Sequence, residues 1–474
     1  MSAPRSVIVV GAGVAGLNAA ASLAETGVDV TLLERRSWVG GRAYSYPHPA
    51  LDEVVDSQHV VVGCCTNLID FCNTAGLADK IRWYDRQTYL EPATGTRPVR
   101  ASTIEISSLP APMQYTGSFL RAAMLSTADK LAIARGLLGF ARGNNGRDDE
   151  SVAQWYRRTH QTERAIRHLW EPLILATLND NSEHSSMQIA GKVFYELFLK
   201  NKQGGLLGIP TVPLSDFYAA GAERIRSLGG RIELRSSVER LTQLTDGRWQ
   251  LQCGEQTFLA DDVILALPFE QTQTLIATMA LSDPAGEPAR QDLKATMERF
   301  IHSPFISILL WYDREITDLD HAWLLDSTIQ WFFHKSRIRG YAPERGSYVE
   351  LVIAGSKTEL PMTREQILAP ALAELHRFFP DAARATLLKS GILKEARATF
   401  SVTPSLDAHR PSQRTAHAGL YLAGDWTATG WPATMESAAR SGRLAAGHLL
   451  NTPTRFLTPD LPPTGLSSLL SRGA

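Results

Sequence analysis

Ten residues near the start constrain this chain more than any others: Val7 to Gly16, reading VIVVGAGVAG. Val7 to Val10 make the short β-branched run that fills a buried parallel strand. Gly11, Gly13 and Gly16 then supply GxGxxG, opening a helix of small residues (Ala19, Ala20, Ala21). A second strand pattern, Val28 to Leu33, ends on Glu34. Each piece has a task in holding a dinucleotide. Gly11 permits the tight turn, Gly13 lets backbone approach a pyrophosphate, and Gly16 lets the helix lie against the strand. The helix N-terminus offers unpaired N–H groups and partial positive charge, and Glu34 can accept from a ribose diol. The candidate contacts here are Gly11, Gly13, Ala15, Gly16, Glu34 and Arg35.

The chain has 474 residues, enough for two or three domains with sizeable cores. A formal charge of −1 offers nothing to recruit nucleic acid. No apolar run has the length of a bilayer span, so a membrane-spanning protein is not expected. Arg5 before VIVV superficially suggests a signal peptide, but the glycines and the following helix argue against one. Four cysteines (Cys64, Cys65, Cys72, Cys253) make neither metal spacing nor a disulfide framework, so a reducing cytosol is the expected compartment.

Beyond Glu34, the pair Gly40-Gly41 brings backbone close to phosphate and Arg42 adds a charge-assisted contact. Val54 to Gly63 reads as a buried strand carrying Asp56, Ser57, Gln58 and His59, polar groups that are costly there unless partnered. Pro110 to Arg147 reads as mostly helical, with Ser126 as a cap and a broad apolar face through Leu131, Ile133, Leu137, Leu138 and Phe140. More helix follows from Ser151 to Trp170, with Pro172 ending or kinking it, and again over 185–199 and 214–228. Segments 303–312, 330–333 and 348–354 read as strands, and 363–379 as a helix. Near the C-terminus, Leu420 to Ala423 is a strand ending at Gly424-Asp425. Pro432 to Thr434 then lead into a helix whose first turn holds Met435 and Glu436.

GAGVAG, Glu34, GGR and the GDWTATGWPATMESAARSG stretch together resemble the FAD-dependent amine oxidase and phytoene desaturase superfamily. The resemblance implies an α/β fold: a Rossmann-like FAD-binding domain of the glutathione-reductase type with an inserted α+β substrate domain. It divides the chain into a discontinuous FAD domain (1–90, 205–272, 395–450), a substrate domain (91–204, 273–394) and a tail (451–474). FAD would be held noncovalently, since no cysteine lies between Gly424 and Glu436. The contacts it implies are Arg42, a backbone contact to adenine at Val238, and Asp425 with Gly424 at the ribityl–phosphate region. Met435 would open the helix that faces the flavin N1/C2=O edge.

The segments QHVVVGCCTNL, LWEPLILATLN, RATFSVTP and LAGDWTATGWPAT resemble, more narrowly, the hydroxysqualene dehydroxylases. That likeness implies reductive removal of an allylic hydroxyl from hydroxysqualene, giving squalene in a hopanoid pathway. Departures are Trp431 where Leu is expected, Ser437 where Gly is expected, and the spacing of the acid before Gln58-His59. The chemistry calls for a proton donor near flavin N5: His59 first, Asp56 second, water third, while Gln58 and His59 could equally brace the flavin ring. No second GxGxxG is present, so electrons would come from an external donor, or from nicotinamide visiting the flavin. The rival readings are a squalene or carotenoid desaturase, an amine oxidase (disfavoured by Gly430 where an aromatic is expected) and a non-catalytic FAD scaffold. A nearly insoluble substrate implies a peripheral protein on the inner face of the cytoplasmic membrane, touching lipid through 119–140 and through Phe456, Leu457, Leu461, Leu466, Leu469 and Leu470; the alternative is that both stretches pack against the protein body or a second subunit. Oligomeric state is left open.

Overall fold

The computed structural model describes residues 5–143 and 146–470. Its first layer is a five-stranded parallel sheet. In chain order the elements are β1 (Ser6–Val10), α1 (Val14–Ala24), β2 (Asp29–Glu34), α2 (Thr66–Thr74), α3 (Leu214–Ser227), β3 (Arg231–Leu234), β4 (Asp262–Leu265), β5 (Leu420–Leu422) and α4 (Met435–Leu449). The strand order is β3-β2-β1-β4-β5, so three distant stretches of sequence build one sheet. β1 is central and nearly all of β1, β2 and β4 is buried, which explains their unbroken apolar reading.

α1 and α4 pack against each other at backbone contact. A Cβ on Gly442 would sit 2.1 Å from the Ala15 carbonyl oxygen, so no other residue fits there. The glycine loop after β1, Glu34 at the end of β2 and Gly424-Asp425 after β5 therefore meet at the carboxyl edge of the sheet. Ligands of open α/β sheets bind along that edge.

The second layer is a seven-stranded, largely antiparallel sheet in the order 387–400, 302–312, 347–354, 331–333, 321–324, 86–91, 100–105. It shifts two of the expected domain borders. Arg86–Glu91 already belongs to this sheet, and Leu387–Phe400 stays in it beyond residue 394, because each pairs along its length with substrate-domain strands. The expected strand 54–63 is also interrupted: Glu53–Val55 and Val61–Val62 are strands, and 56–60 between them are not. The side chains of Asp56, Gln58 and His59 find their partners off the ladder, while the buried Ser57 hydroxyl has none.

A helical layer, including Thr127–Ala141 with a full Ser126/Asp129 capping box, covers one end of this domain. Phe140, Trp155, Trp170 and Phe194 form its aromatic core, with Phe140 and Trp155 stacked at 5.2 Å. Gly136 is required there, since a Cβ would lie 2.8 Å from the Trp155 ring. Pro172 neither ends nor breaks the helix. It stands in the first turn of Glu171–Leu178, directly after a π-turn at Ile166–Trp170 that absorbs the offset.

The tail packs on the protein body along part of its length. It runs over the body as a strap: Thr458 exchanges two hydrogen bonds with Asn67 on α2 (3.0 Å each), Asp460 pairs with Arg440, and Asn201 donates to the Pro462 carbonyl (2.9 Å). Phe456 and Leu461 pack against the two main cores; Leu466 and Leu469 stay exposed, and the Leu470 side chain and residues 471–474 lie outside the described residues. Ending the chain at Asn451 is therefore expected to cost about 2–4 kcal/mol of stability, a few lost hydrogen bonds and one ion pair. It should also reduce FAD retention, because α2 and α4 lose their brace. A truncated protein with unchanged melting and flavin content would contradict this.

Candidate cofactor and substrate site

At the dinucleotide end, Gly11 has φ +101° and donates to the Leu33 carbonyl at 2.7 Å; a Cβ would sit 2.6 Å from the Ala266 oxygen. Gly16 is tighter still, with a Cβ position 1.8 Å from the Gly11 oxygen. α1 starts at Gly13 with no side-chain cap and no acidic residue in its first turn. Its first amides, those of Gly13, Ala15 and Gly16 among them, have no intrahelical partner and are left for a ligand. Buried Glu34 accepts from Ala12 N (2.8 Å) and Arg36 N (2.9 Å), which fixes its carboxylate beside the loop with acceptor capacity to spare for a ribose. Val238 is half-buried in the extended chain after β3, whose Ser236 amide donates to the Glu34 carbonyl at 2.8 Å. Arg35 is exposed. The neighbour that sequence reasoning missed, Arg36, turns inward to the Gly41 carbonyl (2.9 Å) and lies over the Tyr44 ring at 4.6 Å.

The GGR segment docks on the glycine loop. Gly40 N donates to the Ala12 carbonyl at 2.8 Å, and a Cβ on Gly41 would fall 2.9 Å from Gly13 Cα. This delivers Arg42 to the far end of the chain, where its guanidinium reaches Asp425 Oδ1 at 2.6 Å and the Ala398 carbonyl at 2.9 Å. Asp425 is buried, and Gly424, at φ +147°, donates to Ser441 Oγ on α4 at 2.8 Å.

The loop from Trp426 to Thr434 is shaped by Arg410, another residue that sequence reasoning missed. Its buried guanidinium donates to the carbonyls of Trp431 (2.7 Å) and Asp425 (2.8 Å) and pairs with Asp407 (2.8 Å). Thr434 caps α4, and Met435 sits against the Tyr218 hydroxyl. Glu436 points away from the cofactor edge and caps α2 instead, accepting from the amides of Asn67 and Leu68 at 3.2 and 2.8 Å.

The structure alters the reading of Asp56 most. It is buried and accepts from Ser45 Oγ (2.6 Å), Arg339 Nη2 (2.8 Å), the Leu214 amide at the start of α3 (3.3 Å) and Lys335 Nζ. Lys335, also buried, bonds the Asp56 carbonyl (2.8 Å) and Glu350 Oε2 (2.7 Å). Burial alone would raise the Asp56 pKa, but Lys335 and Arg339 reverse this and hold it well below the usual carboxylate range. Asp56 is therefore a fixed anion and not a proton donor. No sequence signal marked Lys335 or Glu350, which come from elsewhere in the chain and are ordinary charged residues until folded together.

Gln58 donates its amide N–H to Glu350 Oε1 at 2.8 Å, and its side chain folds back on the His59 carbonyl. His59 is half-buried, with Nδ1 2.8 Å from the Ser57 carbonyl. Burial lowers its pKa, only partly countered by Ser57, Asp56 and Glu350, so the ring is neutral near pH 7. The cysteines are free and buried, and a hydrogen bond with Cys65 together with burial pushes the Cys64 thiol well up, against a reactive pair. No metal-binding cluster occurs among the described residues.

These residues fit FAD: an uncapped helix start with a glycine cradle that any Cβ would fill, a ribose acid, and a cationic–anionic pair where the chain ends meet. The fold and this site define a flavin-dependent oxidoreductase. The chain belongs to the flavin containing amine oxidoreductase family, whose model matches residues 14–450. It is 27% identical to the 15-cis-phytoene desaturase of Arabidopsis thaliana over 94% of this chain and 79% of that protein. It is 26% identical to that of Synechococcus elongatus (93% and 94%), and 24% to the zeta-carotene desaturase of Synechocystis (96% and 99%). Among solved structures, an oxidoreductase from Methanosarcina mazei superposes with TM-score 0.71 at 18% identity (94% and 100% covered). Cyclohexylamine oxidase from Brevibacterium oxydans superposes with TM-score 0.65 at 17% identity (94% and 99% covered). Both structures share the fold.

The buried charges make a sharp prediction. Lys335→Met leaves Asp56 with Arg339 but takes from Glu350 its buried cation, and is expected to cost about 3–5 kcal/mol at pH 7 in chemical denaturation. Because the folded Asp56 pKa lies below its unfolded value, its contribution is complete above about pH 4 and is lost as pH falls through the folded pKa. With Lys335 gone that folded pKa rises, so acid unfolding should begin at higher pH. A change below about 1 kcal/mol would contradict the account.

Proposed function

We propose that this oxidoreductase exchanges hydride between FAD and a long isoprenoid. The observation that carries the proposal is the similarity along 93–96% of the chain to enzymes named for carotenoid precursors, joined to a complete FAD cradle. Those relatives support the oxidative direction, desaturation of a phytoene- or squalene-type polyene. Neutral His59 also suits a group that accepts a proton. A second reading, reductive dehydroxylation of hydroxysqualene to squalene, is supported by the interior segments LWEPLILATLN, RATFSVTP and GDWTATGWPAT. Bound FAD supplies the two-electron chemistry in either case, with an external donor or acceptor closing the cycle. This chain's residues orient the cofactor, keep water from the pocket and handle one proton.

Expression in cells supplied with hydroxysqualene, and separately with phytoene or squalene, distinguishes the directions. Squalene formed from hydroxysqualene supports dehydroxylation; products two or more hydrogens lighter than the polyene support desaturation. Failure with all three, in protein carrying full FAD, overturns the isoprenoid reading.

We further propose that the protein works on a membrane surface. No helix of the described residues is long and apolar enough to cross a bilayer. Exposed Leu109, Met113, Leu120, Leu131, Leu466 and Leu469 belong to neighbouring segments, as the bonds Leu466 N to the Ala111 carbonyl (2.8 Å) and Lys130 Nζ to the Leu120 carbonyl (2.7 Å) record. Arg121, Lys130 and Arg135 interleave with them, a pattern that suits an anionic lipid surface. Phe119 and Phe140 pack inward and take no part. Full-length protein should float with anionic liposomes, and Leu120→Asp with Leu131→Asp should release most of it. Wild-type protein that never floats would end this reading.

A further inference from the structure

One buried group has no task in FAD binding: the charge network of Asp56, Lys335, Glu350 and Arg339. It links the segment 56–58 to the substrate-domain sheet from two sides. Lys335 Nζ holds the Asp56 carbonyl at 2.8 Å, and Glu350 Oε1 holds the Gln58 amide at 2.8 Å, so both peptides flanking Ser57 are fixed. Ser57's own carbonyl is thereby turned to His59 Nδ1 at 2.8 Å. A carbonyl only accepts, so the bond requires a hydrogen on Nδ1, and in a neutral imidazole Nε2 is then a lone-pair acceptor. No described residue bonds to His59 Nε2. Past His59 the chain reaches α2, whose first amides are held by Glu436 in the opening turn of α4, so 57–65 is anchored at both ends, to α3 through Asp56 and to α4 through α2.

We propose that the Asp56–Lys335–Glu350 network is a positioning device that holds His59 in the Nδ1–H tautomer and presents Nε2 to the cofactor site as an acceptor. This rests on the reading that 57–65 borders the flavin. It gives the buried ions a task beyond stability, for which an apolar replacement would serve as well or better. The charged groups around the imidazole are Asp56 and Glu350, which favour its protonation, and Lys335, which opposes it; burial outweighs them and keeps the ring neutral. Nε2 is thus an acceptor for a hydrogen bond or proton from whatever lies at the flavin edge, and it reaches the donor state only after taking up a proton from solvent or ligand.

The test is tautomer-resolved NMR on FAD-loaded full-length protein labelled with 15N-histidine, with His59→Gln used only to assign the signal. The wild-type spectrum should show a protonated Nδ1 and an unprotonated Nε2, with a titration midpoint below the ordinary histidine range. In Lys335→Met the midpoint should move upward and the single-tautomer signature should be lost to averaging. If that variant does not fold, Lys335→Leu with Glu350→Leu removes one charge of each sign, leaves the Asp56–Arg339 pair, and should likewise lose the single tautomer. A hydrogen on Nε2 in the wild type, an ordinary wild-type midpoint, or a leucine-pair variant with wild-type tautomer and midpoint would each overturn the proposal. No substrate enters the measurement, so it stands or falls separately from the isoprenoid assays.

Discussion

The architecture depends on one close approach, that of α4 to α1 at Gly442 and Ala15. Helices so far apart in sequence meet at backbone distance only because Gly442 has no Cβ. That contact aligns β5 beside β4 and sets Asp425 opposite Arg42, 2.6 Å away. The two ends of the chain are therefore halves of a single binding site. The cofactor elements are separated in sequence by the inserted substrate domain, and this long-range closure makes a bound cofactor a natural clasp.

A second constraint runs across the domains. The sheet of the substrate domain reaches the cofactor layer through buried charges, two anions and two cations, where apolar contact would have sufficed for cohesion. Such a group costs much to desolvate and tolerates little displacement. It therefore holds the loop 56–58 in a defined place, which packing against a bare hydrophobic face would do less precisely. Its consequence for chemistry is that Asp56, one of the two expected proton donors, is held ionised, and His59 is neutral.

Local features were legible in the sequence wherever backbone sterics dictate residue type. Gly11, Gly16, Gly40 and Gly41 stand where a side chain would collide, and Ser126 and Thr434 stand where a helix needs an acceptor. The acid at Glu34 and the Gly424-Asp425 turn followed from position relative to strands. Partnership across hundreds of residues was not legible. Asp56 read as a candidate donor because its 279-residue-distant partner Lys335 carries no local pattern. The course of the tail over the body was not legible either, because sparse leucines do not reveal that Asn67, Arg440 and Asn201 bind the backbone and the acid between them. Domain borders slipped for a related reason: strands such as Arg86–Glu91 declare their sheet only through their neighbours.

The central claim is that both chain ends together hold one FAD without a covalent bond. The most direct measurement is the flavin content and mass of purified protein before and after acid precipitation, for the wild type and for Asp425→Ala. The account predicts close to one FAD per chain in the wild type, all of it released to the supernatant, and much reduced content in the variant. Yellow colour remaining with the precipitate, or full flavin content in Asp425→Ala, would contradict it.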